Sequence, residues 1–131
     1  AAGARLYPQI AARPFGMLFG FPGHHAFTHR PTFRKLKGEL GREELAHRLA
    51  DPAVKAAILG EDDLPPDPPN KLFDNMNILV QYALGRIYHL GDPPDYEPTD
   101  ERTVEKIAAD RGEDPLATLY DLMLELMPPI C

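Results

Sequence analysis

The sequence predicts a mainly α-helical fold with a short extended segment at the N-terminal end, and three observations carry that prediction. Asp-Pro pairs occur at Asp51-Pro52 and Asp114-Pro115, and they favour helix starts because aspartate caps a helix and proline suits its first position. Between Leu116 and Met127, apolar residues recur three and four positions apart, which is the spacing of one helical face. Prolines number 15 in 131 residues, against a usual share of about one in twenty, so the helices are expected to be short and separated by irregular segments.

The first region, residues 1–21, is predicted to be extended. Prolines and glycines interrupt its apolar residues, and one short strand is expected around Phe15 to Phe19. Residues 22–91 form a second region, which is predicted to be loop-rich and helical. It begins with a loop of histidines and aromatics over Phe21 to Thr32, followed by a turn over Arg34 to Leu40.

Two helices and a second extended stretch are expected further along this region. One helix should cover Arg42 to Ala50, and Pro52 restarts a helix that runs to Leu59 and ends at Gly60. Residues 61–70 hold four prolines and four acidic residues, which predicts a linker or an exposed loop. The apolar residues between positions 73 and 80 fit one helix face, whereas residues 87–90 are expected to be extended.

The last region, residues 92–131, is predicted to be a proline connector followed by a pair of helices. Three prolines between Asp92 and Pro98 exclude both helix and central strand there. Thr99 or Asp100 is expected to cap the first helix, which Gly112 ends in a left-handed conformation. The second helix carries the apolar stripe, and the two prolines that follow the stripe stop it.

Charge and composition argue against several classes of function. The net charge is −6 and the basic residues are scattered, so neither nucleic acid nor an anionic membrane is an expected partner. No apolar run approaches the roughly 20 residues that a membrane-spanning helix needs. Cys131 is the single cysteine, so no disulfide can form within the chain, and the reducing cytoplasm is the expected compartment.

Several segments together resemble one enzyme family. The connector Leu90 to Pro98, with the sequence LGDPPDYEP, precedes a helix and then an Asp-Pro helix that carries the run Tyr120 to Glu125. Upstream, the segments Arg13 to Leu18, Pro31 to Arg34 and Leu49 to Lys55 occur in the same order as similar segments of that family. The chain thus resembles an internal part of the D-aminoacylase or N-acyl-D-amino-acid deacylase group of the amidohydrolase superfamily, and the resemblance spans nearly its whole length.

The resemblance implies that the chain is a piece of a longer zinc enzyme. Proteins of this family are metal-dependent (β/α) barrels that hydrolyse the amide bond of N-acyl-D-amino acids or related amides. The family's His-x-His pair has no counterpart in this sequence. The resemblance therefore implies a late barrel strand within residues 1–21 and a lid insertion over the barrel mouth within residues 22–91. Zinc belongs to the parent protein, with no metal ligand, no catalytic residue and no activity of its own expected in this chain. Its implied partners are the remainder of the barrel and a small acyl amide substrate.

Five residues are candidates for contact with that substrate. His24, His25, Phe27 and His29 lie in the predicted loop over the barrel mouth, and Tyr96 lies in the proline connector. Histidines four positions apart can share a metal ion on a helix, but flanking prolines place His25 and His29 in a loop, so ordinary loop histidines are expected instead. The aromatic rings could equally be core residues, and Tyr96 could simply pack its ring.

A second hypothesis keeps the chain outside enzymology. A small helical module could bind a protein partner through the apolar face of Leu116 to Met127. If that face were exposed, the isolated chain would also tend to associate with itself. The length of the intact gene product discriminates between the two hypotheses.

Overall fold

The computed structural model describes residues 3, 5, 7, 16–65 and 76–127, and within them the chain is mainly helical, as the sequence predicts. The helices in chain order are α1 (Pro31–Glu39), α2 (Arg42–Leu49), α3 (Pro52–Gly60), α4 (Met76–Ala83), α5 (Val104–Arg111) and α6 (Pro115–Glu125). Short 3₁₀ turns follow α4 at Leu84–Arg86 and precede α5 at Asp100–Arg102. None of these helices combines the length and the apolar content that crossing a bilayer requires.

The predicted positions of α2 and α3 are confirmed to within a residue. Pro52 is the first residue of α3, and the side chain of Asp51 accepts a hydrogen bond from the Ala53 N–H at 2.8 Å. The helix ends at Gly60, as predicted, but not through a left-handed glycine. Glu61 instead takes the chain into an extended conformation, with φ −85° and ψ 153°.

Helix α5 begins later than the sequence suggests. Thr103 is its N-cap, and its hydroxyl accepts a hydrogen bond from the Lys106 N–H at 3.2 Å. The prediction of Thr99 or Asp100 as the cap is wrong, because Asp100 belongs to the 3₁₀ turn that precedes α5. Several acidic and hydroxyl residues just before the helix are suitable N-caps by residue type. Which of them is the cap depends on where the backbone enters the helix.

The turn between α5 and α6 follows the prediction closely. Gly112 lies in the left-handed region at φ 66° and ψ 33°, which ends α5. Asp114 then caps α6 by accepting hydrogen bonds from the N–H groups of Leu116 and Ala117 at 2.9 and 3.0 Å. Helix α6 ends at Glu125, two residues before the expected end of the stripe. The prolines expected to stop it lie outside the described residues.

Helix α1 replaces a predicted turn. The expectation of a turn over Arg34 to Leu40 is wrong, because a helix starts earlier, with Pro31 at its first position. The Thr32 N–H donates to the Glu61 carboxylate at 3.0 Å, and the Thr32 hydroxyl donates to the other oxygen of the same group. Glu61 therefore serves the N-terminus of α1 from a position 29 residues away, which no local pattern reveals.

The predicted extended segments have two different outcomes. The predicted strand around Phe15 to Phe19 is wrong for residues 16–19, which form neither helix nor strand, while Phe15 and most of the first region lie outside the described residues. The extended stretch before the connector is confirmed: Tyr88 forms an isolated antiparallel bridge with Thr103. The Val104 N–H donates to the Ile87 carbonyl at 2.8 Å, which attaches the chain after α4 to the start of α5.

The hydrophobic core lies where residues 21–30 meet α1, α2, α3 and α6. Tyr120 of α6 is fully buried at its centre, with its ring 4.9 Å from that of Phe21 and 5.6 Å from that of Phe27. Its hydroxyl donates to the Leu49 carbonyl at 2.9 Å. Much of the apolar stripe of α6 is thus inside the chain's own core, where Leu119, Tyr120, Leu122, Met123 and Met127 are all buried.

Candidate functional site

The first candidate site is the histidine loop, residues 21–30, which precedes α1. Its conformation is fixed by short hydrogen bonds around His25, whose backbone N–H donates to the Thr28 hydroxyl at 3.0 Å. That hydroxyl donates in turn to the His25 carbonyl at 2.8 Å. The imidazole Nδ1 accepts the Phe27 N–H at 3.1 Å, so the ring belongs to the turn itself. These contacts need His25 to be neutral, with its proton on Nε2.

The imidazole of His25 is enclosed by aromatic rings. It is 1% exposed, and its ring lies edge-to-face against Phe33 at 4.4 Å and against Phe21 at 5.0 Å. Burial lowers the pKa of His25 to about 3, and the positive charge of Lys37 acts in the same direction. An imidazole in this position is a neutral core group and a poor acid or base at ordinary pH.

The other candidate residues of the loop differ in how far they are buried. Phe27 is 1% exposed and packs in the core, His29 is half-buried, and His24 is exposed. Residues 26–29 form turns, so the helical geometry needed for His25 and His29 to share a metal is absent from this segment. Within the described ranges, no three histidine, cysteine, aspartate or glutamate side chains come close enough to hold a metal ion.

The chain after α3 fastens the end of the histidine loop. The Leu64 N–H donates to the His29 carbonyl at 2.8 Å, and the Arg30 guanidinium lies 3.1 Å from the Asp63 carboxylate. Together with Glu61 on Thr32, these contacts hold the loop against α1 from outside. The first half of the predicted linker at residues 61–70 is therefore bound to the histidine loop and to α1. Residues 66–70 lie outside the described part.

The second candidate site is an apolar groove of about 1040 Å³, which borders the start of the histidine loop at Pro22. Residues 16–20, α4, the stretch before the connector, the connector itself and α6 form its walls. Its apolar lining includes Leu18, Phe19, Leu79, Val80, Ile87, Leu90, Leu122, Met123 and Leu126. Several of these side chains are exposed, most of all Leu18 at 77%. The groove is large enough for a ligand or for side chains of another protein surface.

Polar groups from the turn after α4, from the stretch before the connector and from the connector itself also line the groove. They are Arg86, Tyr88, Asp95, Tyr96 and Glu97. Arg102 holds Asp95 in place, with a distance of 3.1 Å between guanidinium and carboxylate. The same guanidinium lies over Gly91, so closely that a Cβ there would clash with it, and Gly91 has a positive φ of 80°. Arg102 thus joins the proline connector to the 3₁₀ turn before α5.

The structure separates the five predicted contact residues into two places. Tyr96, 77% exposed, lines the apolar groove, whereas the four residues from the histidine loop do not. The sequence does not predict the groove, because its walls come from segments that lie far apart in the chain, from Gly16 to Leu126. The one available signal was the apolar residues Met17 and Leu18 beside an otherwise glycine-rich segment.

No protein-family model, curated protein or solved structure matches this chain.

Proposed function

We propose that this chain is the lid region of a zinc-dependent amidohydrolase that cleaves the amide bond of N-acyl-D-amino acids or related amides. In this proposal the chain contributes contacts at the mouth of the active site and supplies neither a metal ligand nor a catalytic group. The resemblance of the connector and the helical pair to that family supports it. The apolar groove is the structural observation that carries it.

The groove supports a docking role because it leaves large apolar side chains in water. Leu18 is 77% exposed, Leu79 54% and Leu126 45%, and all three lie on the groove. Clustered exposed side chains of this size usually mark a surface that another protein part or a ligand covers. In the proposal, the remainder of the barrel covers part of the groove, and the connector with Tyr96 faces the substrate.

Zinc is assigned to the rest of the protein. The described residues do not fit a zinc site, since no three suitable side chains converge in them. The histidine loop has a structural role in this proposal: His25 and Phe27 anchor it from inside, while the exposed His24 and the half-buried His29 contact the substrate. Tyr96 is the third contact residue in this proposal, on the groove side.

The decisive experiment is expression of the complete open reading frame from which this sequence derives. We expect a product several times longer than 131 residues that releases free amino acid from N-acyl-D-amino acids. A chelator should abolish this activity and added zinc should restore it. The 131-residue chain alone should show no turnover. A native stop codon directly after Cys131, or a longer product without metal-dependent amide hydrolysis, would sink the proposal.

Groove variants test how the lid attaches. Leu18→Lys and Leu126→Lys place charges on the groove, whereas Tyr82→Lys places one on an 88% exposed side chain that does not line it. In the complete protein, the two groove variants should lose activity or solubility while their far-UV circular dichroism remains helical. The Tyr82 variant should behave as wild type. Equal behaviour of all three variants would contradict docking through the groove.

The alternative is a helical module that binds a protein partner without catalysis. The face of α6 first expected to bind that partner is mostly buried in the chain's own core, so the module would have to use the groove. The same exposed leucines favour this alternative. An intact gene product that ends with this domain and binds a partner only when Leu18 and Leu126 are unchanged would support it.

A further inference from the structure

His25 stands apart from the proposed function because its ring is neither at the surface nor in the groove. It accepts one backbone hydrogen bond and fills a position between Phe21 and Phe33. The Nε2 atom is buried and has no hydrogen-bond partner among the described residues. The ring thus has one satisfied nitrogen, which must stay deprotonated, and one enclosed N–H.

Protonation would break this arrangement in two ways. A proton on Nδ1 would face the Phe27 N–H, so two donors would meet at 3.1 Å where a donor and an acceptor now meet. The new charge would also be buried among hydrocarbon and aromatic atoms, away from water. Both costs disappear if the loop moves out, because the imidazole then reaches solvent.

The charged groups around His25 oppose protonation as well. Lys37 of α1 and the neighbouring loop residues His24 and His29 each lower the pKa of His25, in addition to the larger effect of burial. On the α6 side, the group packed nearest to the loop is the Tyr120 ring, whose hydroxyl is neutral and bound to the Leu49 carbonyl. The segment after α3 adds the carboxylates of Glu61 and Asp63, which are bound to Thr32 and Arg30 rather than to the imidazole. The groups that act on the His25 proton are therefore positive or neutral.

We propose that the histidine loop is an acid-sensitive latch: when His25 takes up one proton, residues 24–30 leave the aromatic core while α6 stays folded. The loop is suited to local opening because its own hydrogen bonds run mostly within residues 25–30. Its outer attachments, from Leu64 and Asp63, do not involve the imidazole and limit how far it moves.

The size of the effect follows from the proton balance. The pKa of His25 is about 3 in the closed loop and returns to its ordinary 6.5 when the loop opens. The open form thus gains a proton between these values, and acid favours it. The opening constant should rise roughly tenfold for each pH unit below 6.5, which gives about 100-fold at pH 4.5. Well above pH 6.5 the open form gains no proton, so the opening constant should no longer depend on pH.

Nuclear magnetic resonance on the wild-type chain provides the first test. At pH 5.5 the His25 imidazole should remain neutral with its proton on Nε2, because Nδ1 accepts the Phe27 N–H. From pH 6.5 to 4.5, the hydrogen-exchange protection factors of the Phe27, Thr28 and Arg30 amides should fall by about 50-fold, because half of the open form is already protonated at pH 6.5. Those of α6 should fall much less.

A matched pair of variants tests whether protonation of His25 causes the loop to open. In His25→Asn, the amide oxygen can accept the Phe27 N–H but cannot titrate, so the loop should lose its acid dependence. His47→Asn removes a surface histidine and should leave the dependence intact. If His25→Asn does not fold, the wild-type exchange data decide alone. The latch is refuted if His25 titrates near 6.5 in the folded chain, or if loop and α6 amides lose protection in parallel.

Discussion

Tyr120→Phe removes a single oxygen from the centre of the core and tests how α2 is joined to α6. The tyrosine hydroxyl donates to the Leu49 carbonyl at 2.9 Å, and both groups are buried. Leu49 is the last residue of α2, so its carbonyl has no helical partner by default. The Ala53 N–H four positions later donates to the Asp51 side chain instead. The Tyr120 hydroxyl is therefore the donor that satisfies this helix end.

The substitution leaves the ring in place but leaves the Leu49 carbonyl buried without a donor. The cost of an unsatisfied buried acceptor is about 1–3 kcal/mol, and we expect the free energy of unfolding to fall by that amount. Packing should change little, because the ring contacts with Phe21 and Phe27 involve carbon atoms only. The slope of unfolding against urea should stay at the wild-type value.

Urea unfolding followed by circular dichroism at neutral pH measures this loss, with Tyr82→Phe as the control because Tyr82 is 88% exposed. Alkaline pH adds a second readout. Burial raises the pKa of Tyr120 above its ordinary 10, and the Asp121 carboxylate adds to the shift. The neutral hydroxyl is thus favoured in the fold, so stability is complete below pH 10 and declines above it. Tyr120→Phe should lack that decline. A Tyr120→Phe protein as stable as the control would refute the proposed helix-end bond.

Three further substitutions, each measured by urea unfolding, test a helix end, a helix cap and a buried side chain. Gly112→Ala should cost about 1–2 kcal/mol, because a Cβ is strained at its φ of 66°, whereas Gly60→Ala at the end of α3 should be neutral or slightly stabilising. Asp114→Ala should cost about 1 kcal/mol through loss of the two capping bonds, and an Asn at that position should recover most of it. Ile58→Val, at a fully buried site, should cost about 0.5–1.5 kcal/mol. A destabilising Gly60→Ala, or a silent change at any of the other three, would contradict the local explanation given for it.

The parts of the fold that the sequence predicts are those whose signals are local. Asp51 and Asp114 each precede a proline and cap a helix through their own neighbours, and Gly112 ends α5 by its own conformation. Such signals act within three or four residues, so they can be read from the sequence without knowledge of tertiary contacts. The connector before α5 is correctly predicted for the same reason, because proline restricts its own φ and the residue before it.

The parts that the sequence does not predict depend on contacts between distant residues. Helix α1 is completed by Glu61, and the groove is completed by chain segments that meet only in three dimensions. The histidine loop illustrates the same limit. Four neighbouring residues look alike as candidate contact groups, but packing against Phe33 and Tyr120 buries His25 and Phe27 while His24 stays outside. Position in the loop does not reveal which side chain turns inward.

Val80 anchors helix α4 to the core, so shortening its side chain should loosen α4 before the rest of the fold. Val80 is 2% exposed, whereas Leu79 and Tyr82 on the same helix are 54% and 88% exposed. Val80→Ala removes about two methylene equivalents from the core, which should weaken α4 attachment by about 1.5–2.5 kcal/mol. The α4 amides should then exchange faster while those of α6 remain protected, since α6 is buried independently of α4 through Tyr120. Leu79→Ala is the matched control and should leave both helices unchanged. If Val80→Ala instead lowered protection equally in α4 and α6, α4 would be an integral part of the core, and the groove beside it would be a less adaptable surface.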